Sequence, residues 1–219
     1  MRVWIDLSSS IKRTSSMRFK LSLLLILLGT TNAFSQTREY AVKVLGIRVG
    51  TIMATKTPKG ESFTYGLSSE VDVNFLVYKL QVDYKVRSTL ANNGLANSKV
   101  TVISNRGNYT TETSKTTLGF MANCKRPENE IKKEIDDKIL ATFASAFFNE
   151  PAALNQIYAE FYADFIQMTN LGEGKYQGVL DKNVDEFHYE NGLLVKLIKK
   201  NPITNMVIEY QAISNKTAR

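Results

Sequence analysis

The sequence predicts a mainly β protein: a single curved antiparallel sheet, or incomplete β-barrel, of about ten strands with one amphipathic helix inserted mid-chain. Three observations predict it. Long runs alternate apolar and polar residues, Gly, Asn and Pro turns separate those runs, and once, near the middle, the apolar period changes to four.

The chain opens with Arg2, Lys12, Arg13, Arg18 and Lys20, followed by an uninterrupted apolar run from Leu23 to Leu28 and the small residues Thr31 and Ala33. Charge, a short apolar segment and a small-residue exit form the tripartite pattern of a secretory signal. We assign residues 1–36 to it, with cleavage after Ala33 or just after Gln36, and note Met17 as an alternative start. The apolar run is far shorter than the roughly 20 residues that cross a bilayer, so no permanent anchor is expected. Lipid anchoring of a bacterial precursor needs a cysteine as the first mature residue, and the only cysteine is Cys124. The expectation is an exported protein, periplasmic or extracellular, neither lipid-anchored nor integral to a membrane, with residues 37–219 as a single β-rich domain.

Removal of that segment takes five basic residues and Asp6 and lowers the formal charge from +7 to +3. A balance this small, with its cations scattered along strands, argues against nucleic acid as a partner. One cysteine makes no internal disulfide, so the core must stabilise the fold, with Cys124 read as a small buried or half-buried residue.

The clearest strand runs from Phe63 to Phe75, where Phe63, Tyr65, Leu67, Val71, Val73 and Phe75 share one parity and polar residues hold the other. Tyr78, Leu80, Val82, Tyr84 and Val86 repeat the pattern, and two adjacent strands joined by a tight connection near Leu76 pair antiparallel. Upstream, Gly46 separates strands over 40–45 and 48–57, and Thr57-Pro58-Lys59-Gly60 reads as a turn. Downstream, Asn93-Gly94 predicts a hairpin into a strand near 98–104, and Asn105-Arg106-Gly107 a turn into another near 109–118. These make a meander of about six strands.

Ile131, Ile135, Ile139, Phe143 and Phe147 then recur every fourth residue, which predicts an amphipathic helix stopped before Pro151, its stripe lying on the apolar face of the sheet. Residues 152–168 fit a helix or a strand; the preferred reading is a short helical or looped start and a strand from about Ala163. Strands follow near 175–180, 184–189, 193–199 and 206–211, with turns at Gly172 and Gly174, at Asn191-Gly192, and at Asn201-Pro202.

Few residues suggest chemistry. Asp181, Asn183 and Asp185 have the opening spacing of a calcium loop, but Glu186 and Gly192 stand where that loop needs a glycine and an acid, so a solvated turn is the better reading. His188 is the sole histidine, which excludes multi-histidine metal sites, and no nucleophile elbow occurs. A Cys124–His188 dyad has no local signature. Glu150, Glu160 and Asp164 sit among apolar residues; Glu160 and Asp164 would share a face if helical, an arrangement read either as a catalytic acid pair or as a wet helix face. Glu150 is also placed to pin the bend after the helix. No catalytic residue, metal site or cofactor is assigned. The aromatic supply is the stronger lead: Tyr65, Tyr78, Tyr84, Phe143, Phe147, Tyr158 and Phe161, with Tyr109 and Phe165, either fill the core or line an apolar cavity in the curved sheet.

Tyr40-x-Val42 with Gly46 to Gly50, the strand Ser68 to Phe75, Phe148-Asn149-Glu150-Pro151, and Tyr176 with His188-Tyr189-Glu190-Asn191-Gly192 together resemble an uncharacterised exported β-rich domain family of the Bacteroidota. Phe34-Ser35-Gln36 also resembles that phylum's signal regions. The resemblance implies an envelope protein with a signal peptide and transfers no site residues. Two functions are expected from this architecture. One is noncatalytic binding of an apolar or lipid-like ligand, in a sheet resembling lipocalin-like or lipoprotein-carrier half-barrels. The other is a structural or protein-interaction role in the envelope; a hydrolase rests only on Glu160 and Asp164.

Overall fold

A computed structural model describes residues 34–75, 78–200 and 204–212, with the side chains of 73–80 left aside. Residues 1–33 of the segment read as a secretory signal, the Leu76 connection and the Asn201-Pro202 turn lie outside the described residues.

Eight strands follow one another as a meander: β1 (Gln36–Val44), β2 (Ile47–Lys59), β3 (Ser62–Phe75), β4 (Tyr78–Ala91), β5 (Gly94–Ser104), β6 (Gly107–Lys115), β7 (Phe120–Lys125) and β8 (Glu130–Ile135). After one turn of helix, α1 (Phe143–Ala146), six more follow: β9 (Gln156–Ala159), β10 (Asp164–Gly172), β11 (Lys175–Leu180), β12 (Asn183–Glu190), β13 (Leu193–Lys199) and β14 (Met206–Gln211). All fourteen form one antiparallel sheet in the order β8-β7-β6-β5-β4-β3-β2-β1-β14-β13-β12-β11-β10-β9. The two meanders are joined by β1 and β14, which pair from Glu39↔Gln211 to Val44↔Met206.

The alternating runs set the register as expected. Tyr65, Leu67 and Val86 turn inward and are buried, and Leu67 and Val86 are direct cross-strand partners. Turn chemistry holds too. Asn191 and Gly192 both have positive φ, 51° and 75°, as a two-residue hairpin between right-twisted strands requires. Pro58 is not in a turn but within β2, beyond Lys56, the last residue β1 covers, so its missing N–H leaves that ladder intact.

Three expectations are corrected. The described residues form fourteen strands, not about ten, because β7 and β9 are short and β8 was hidden in the supposed helix. The amphipathic helix over Ile131 to Phe147 is not formed: Glu130–Ile135 is a strand, and only Phe143–Ala146 is helical. Finally, what covers the apolar face is an irregular segment, residues 137–155, carrying that single helical turn.

The sheet curls until its two ends meet without pairing. Phe120, Ala122, Cys124 and Ile135 from one end share an apolar cluster with Tyr158 and Ala163 from the other. Lys133 crosses the seam to the Tyr162 carbonyl at 3.1 Å and lies 3.7 Å from the Asp164 carboxylate. A larger cluster fills the rest of the interior, where Tyr40, Phe147, Ile157, Phe187, Leu194 and Leu197 are fully buried.

Candidate functional site

The inserted segment is held from its backbone outward. Thr142 caps α1: its Oγ1 accepts from the Ser145 N–H at 3.2 Å, while Ser145 Oγ accepts from the Thr142 N–H at 2.9 Å. A one-turn helix leaves its last carbonyls without partners, and burial makes such orphans costly. The sheet supplies the donors. Tyr189 donates to the Ala146 carbonyl at 3.0 Å and Arg38 to the Phe147 carbonyl at 2.7 Å. The Tyr40 hydroxyl lies 3.2 Å from the Phe147 carbonyl and 3.1 Å from that of Leu194, either of which takes its proton. Burial raises the hydroxyl pKa of both tyrosines, which keeps them donors.

The aromatic residues singled out from the sequence do not converge on one cavity. Phe143 and Phe147 belong to the inserted segment and fill the interior, the core alternative of the sequence reading; their rings pack edge to face at 5.5 Å, and Phe147 meets Tyr40 at 5.0 Å. Tyr158 is fully buried and shares a 2.8 Å hydrogen bond with Thr113. Phe161 lies under the Arg126 guanidinium, 4.9 Å from its ring centre, and that guanidinium donates to the Phe161 carbonyl at 2.9 Å. Tyr84 is partly exposed, and its hydroxyl pKa is raised by burial and then by Glu160. Tyr78 opens β4, but its side chain lies outside the described residues. Tyr65 borders a pocket between the sheet and the inserted segment.

That pocket, of about 230 Å³, lies at the rim, where Phe63, Tyr65 and Leu90 of the sheet face Ser145, Asn149 and Glu150 of the inserted segment. Asn149 donates to the Tyr65 hydroxyl at 3.0 Å, and Lys56 sits 4.6 Å above the Phe63 ring. Glu150 does pin the bend, accepting from the Tyr176 hydroxyl at 2.7 Å; burial and that carboxylate push the Tyr176 pKa up to about 12. A second, wider groove of about 600 Å³ runs along the seam between Lys133–Asp137 and Ala163–Phe165.

With this geometry in hand, residues 40–211 match the family described as a domain of unknown function, DUF6134. The chain belongs to this family. No curated protein and no solved structure matches it. The matched span begins on β1 and ends on β14, so the DUF6134 unit includes the ladder that joins both meanders.

The acids of this DUF6134 domain separate into different environments. Glu160 is 1% exposed; its Oε1 accepts from Ser88 Oγ at 2.8 Å and from the Ala144 N–H at 3.2 Å. Its Oε2 is buried without a hydrogen-bond partner among the described residues. Burial without an ionic partner raises the Glu160 pKa, against the opposing pull of those hydrogen bonds. Asp164 is exposed beyond a tight turn in which Ala163 has a φ of 51°, so the two acids share no helical face. Asp185, read as part of a turn, is buried on β12 and paired with Lys199. Cys124 is buried on the inner face, whereas His188 lies between inward-facing Phe187 and Tyr189, 3.7 Å from Glu186, so the pair is split between faces. Arg38 and Arg126 escaped the sequence reading, because a cation near the start of a strand, or beside Lys125 and Pro127 in a connection, reads as a solvated side chain.

Proposed function

We propose that this DUF6134 protein is an exported, noncatalytic component of the cell envelope that works by docking another protein. The observation that carries this reading is the filling of the sheet's inner side by residues 137–155, with Phe147 and Tyr158 fully buried where the sequence left a filled core or a ligand cavity open. Such an interior is rigid and closely packed, which leaves the outer face and the strand edges for recognition. That outer face is charged, with Lys99 opposite Glu112 at 2.6 Å and Arg48 2.9 Å from Glu39; a lipid-facing wall would be apolar. Among the described residues no helix is long and apolar enough to cross a membrane.

Photo-crosslinkers placed on the outer face in whole cells test the reading. A reproducible partner that also binds the purified protein is the expected result; no such partner ends the proposal. Recovery without detergent, outside the cytoplasm, of a chain shortened by its first 36 or so residues would fit export. Retention of the full-length chain in the cytoplasm would contradict it.

A second reading, binding of an apolar or lipid-like ligand, draws on the rim pocket beside Tyr65, although about 230 Å³ is below the usual size of a small-molecule site. Native mass spectrometry and a fluorescent-lipid titration separate the two readings: a ligand displaced by Tyr65→Trp favours the pocket, and no bound lipid removes it.

A further inference from the structure

The two ends of the sheet are treated differently. At β9 the chain covers its own edge: the Tyr158 N–H donates to the Ala141 carbonyl at 2.9 Å, and Thr142 bridges to Tyr158 in parallel. At β8, β7 pairs with one side through six residue pairs, from Lys125↔Glu130 to Phe120↔Ile135, and among the described residues no strand pairs with the other. An unpaired edge offers alternating N–H and C=O groups to any extended chain.

The seam beside that edge has room and charge. The wide groove has Lys133 to Asp137 on one wall and Ala163 to Phe165 on the other. Its charged lining is Glu134, Asp136, Asp137 and Asp164 against the single Lys133, which Asp164 already attracts. Lys133 also shows how far apart the two ends stand, since the Tyr162 carbonyl is met by the tip of a four-carbon stem and not by a backbone amide. On the inner face of the edge, Ile131 is 46% exposed.

We infer that β8 and the acidic groove beside it form a docking edge for an extended basic segment of a partner protein, which adds to the sheet as a further strand. The inference rests on the docking reading above and names the surface and the partner's chemistry. Backbone pairing along Glu130–Ile135 supplies affinity, and alternation in the incoming strand supplies specificity: apolar side chains meet Ile131 and basic ones meet Glu134, Asp136 and Asp137. A second copy of the chain fits worse. Antiparallel self-pairing that sets Ile131 against Ile135 matches two attractive Lys132–Glu134 contacts with two repulsive Glu130–Asp136 contacts and leaves Lys133 against Lys133, a net repulsion that a basic strand does not meet at the acidic wall.

The test uses the purified full chain and a synthetic extended peptide alternating lysine with valine and threonine, with a twin carrying glutamate for lysine. The lysine peptide is expected to bind, to slow amide hydrogen exchange across Glu130–Ile135, and to weaken as salt is raised. Joint Glu134→Lys and Asp136→Lys replacement, both exposed positions, should lower its affinity by at least about tenfold. Equal binding of the glutamate twin, binding without protection of β8, binding indifferent to salt and charge reversal, or no binding at all overturns the inference. Self-association through β8 in the absence of peptide does so too. Crosslinking to a partner elsewhere on the surface, with none of these effects at β8, removes the edge site and leaves the docking reading intact.

Discussion

Glu160 shows how a single residue can be structural in a place where sequence suggests chemistry. Its carboxyl reaches the first turn of α1 and the β4 hydroxyl of Ser88, so it ties the inserted segment to the sheet. Its folded pKa lies above the unfolded value, so its contribution to stability is fully present below the unfolded value and lost as pH rises through the folded one. Glu160→Gln keeps the acceptor and cannot ionise. In urea unfolding across a pH series, the wild type should therefore lose stability relative to Glu160→Gln as pH rises from the acid side, and parallel profiles would refute this. Glu160→Ala strands two buried donors and should cost about 1–3 kcal/mol for each at any pH. Periodicity places a residue on a face, and it did so for Tyr65, Leu67 and Val86. Which carbonyls the Tyr40 and Tyr189 hydroxyls meet depends on the inserted segment's path, which no local pattern encodes.

At the scale of elements, the misreading of β8 has a simple cause. Ile131, Ile135 and Ile139 are four apart, and four is an even number, so the same row that makes a helical stripe also lies on one face of a strand. Lys133 occupies the intervening inward position because its stem spans the seam while its ammonium reaches the Tyr162 carbonyl. Turns with a required dihedral, such as Asn191-Gly192, were readable without tertiary contacts; β8 needed the far end of the sheet. The two assignments differ in a measurable way. Ile135 is buried and Ile131 half exposed, so Ile135→Ala should cost about 2–5 kcal/mol by urea unfolding, and Ile131→Ala less than about 1 kcal/mol. Equal, large losses would restore a common buried stripe.

For the whole molecule the decisive contact is the one between the chain's most distant strands. Sequential strands pair with their neighbours all along both meanders, as the simplest connection rule expects, and nothing in β1 or β14 announces that they pair with each other. Yet that ladder turns two half-sheets into one, burying Ile208 with Val42 and Leu197 in the main core. On the outer face it sets Glu209 between Lys43 at 2.6 Å and Lys196 at 3.3 Å, and the hydrogen bond from Lys43, more than any other cause, lowers the Glu209 pKa. The inserted segment touches both halves at once, through Arg38 and Tyr40 of the first meander and Tyr189 of the second, so neither half can keep it alone. A chain ended before Met206 should therefore lose its cooperative native state altogether, and not retain a folded β1–β8. Hydrogen exchange and near-ultraviolet circular dichroism of the truncated chain measure this. Protected amides confined to β2–β6, with a surviving sigmoidal urea transition, would mean that the first meander folds without its partner. The ladder joins residues far apart in sequence, so if closing it limits the folding rate, refolding of the intact chain should be slow, in the millisecond-to-second range or beyond, and should slow further when Ile208→Ala weakens the joining strand; a variant that only unfolds faster would place the ladder after the barrier.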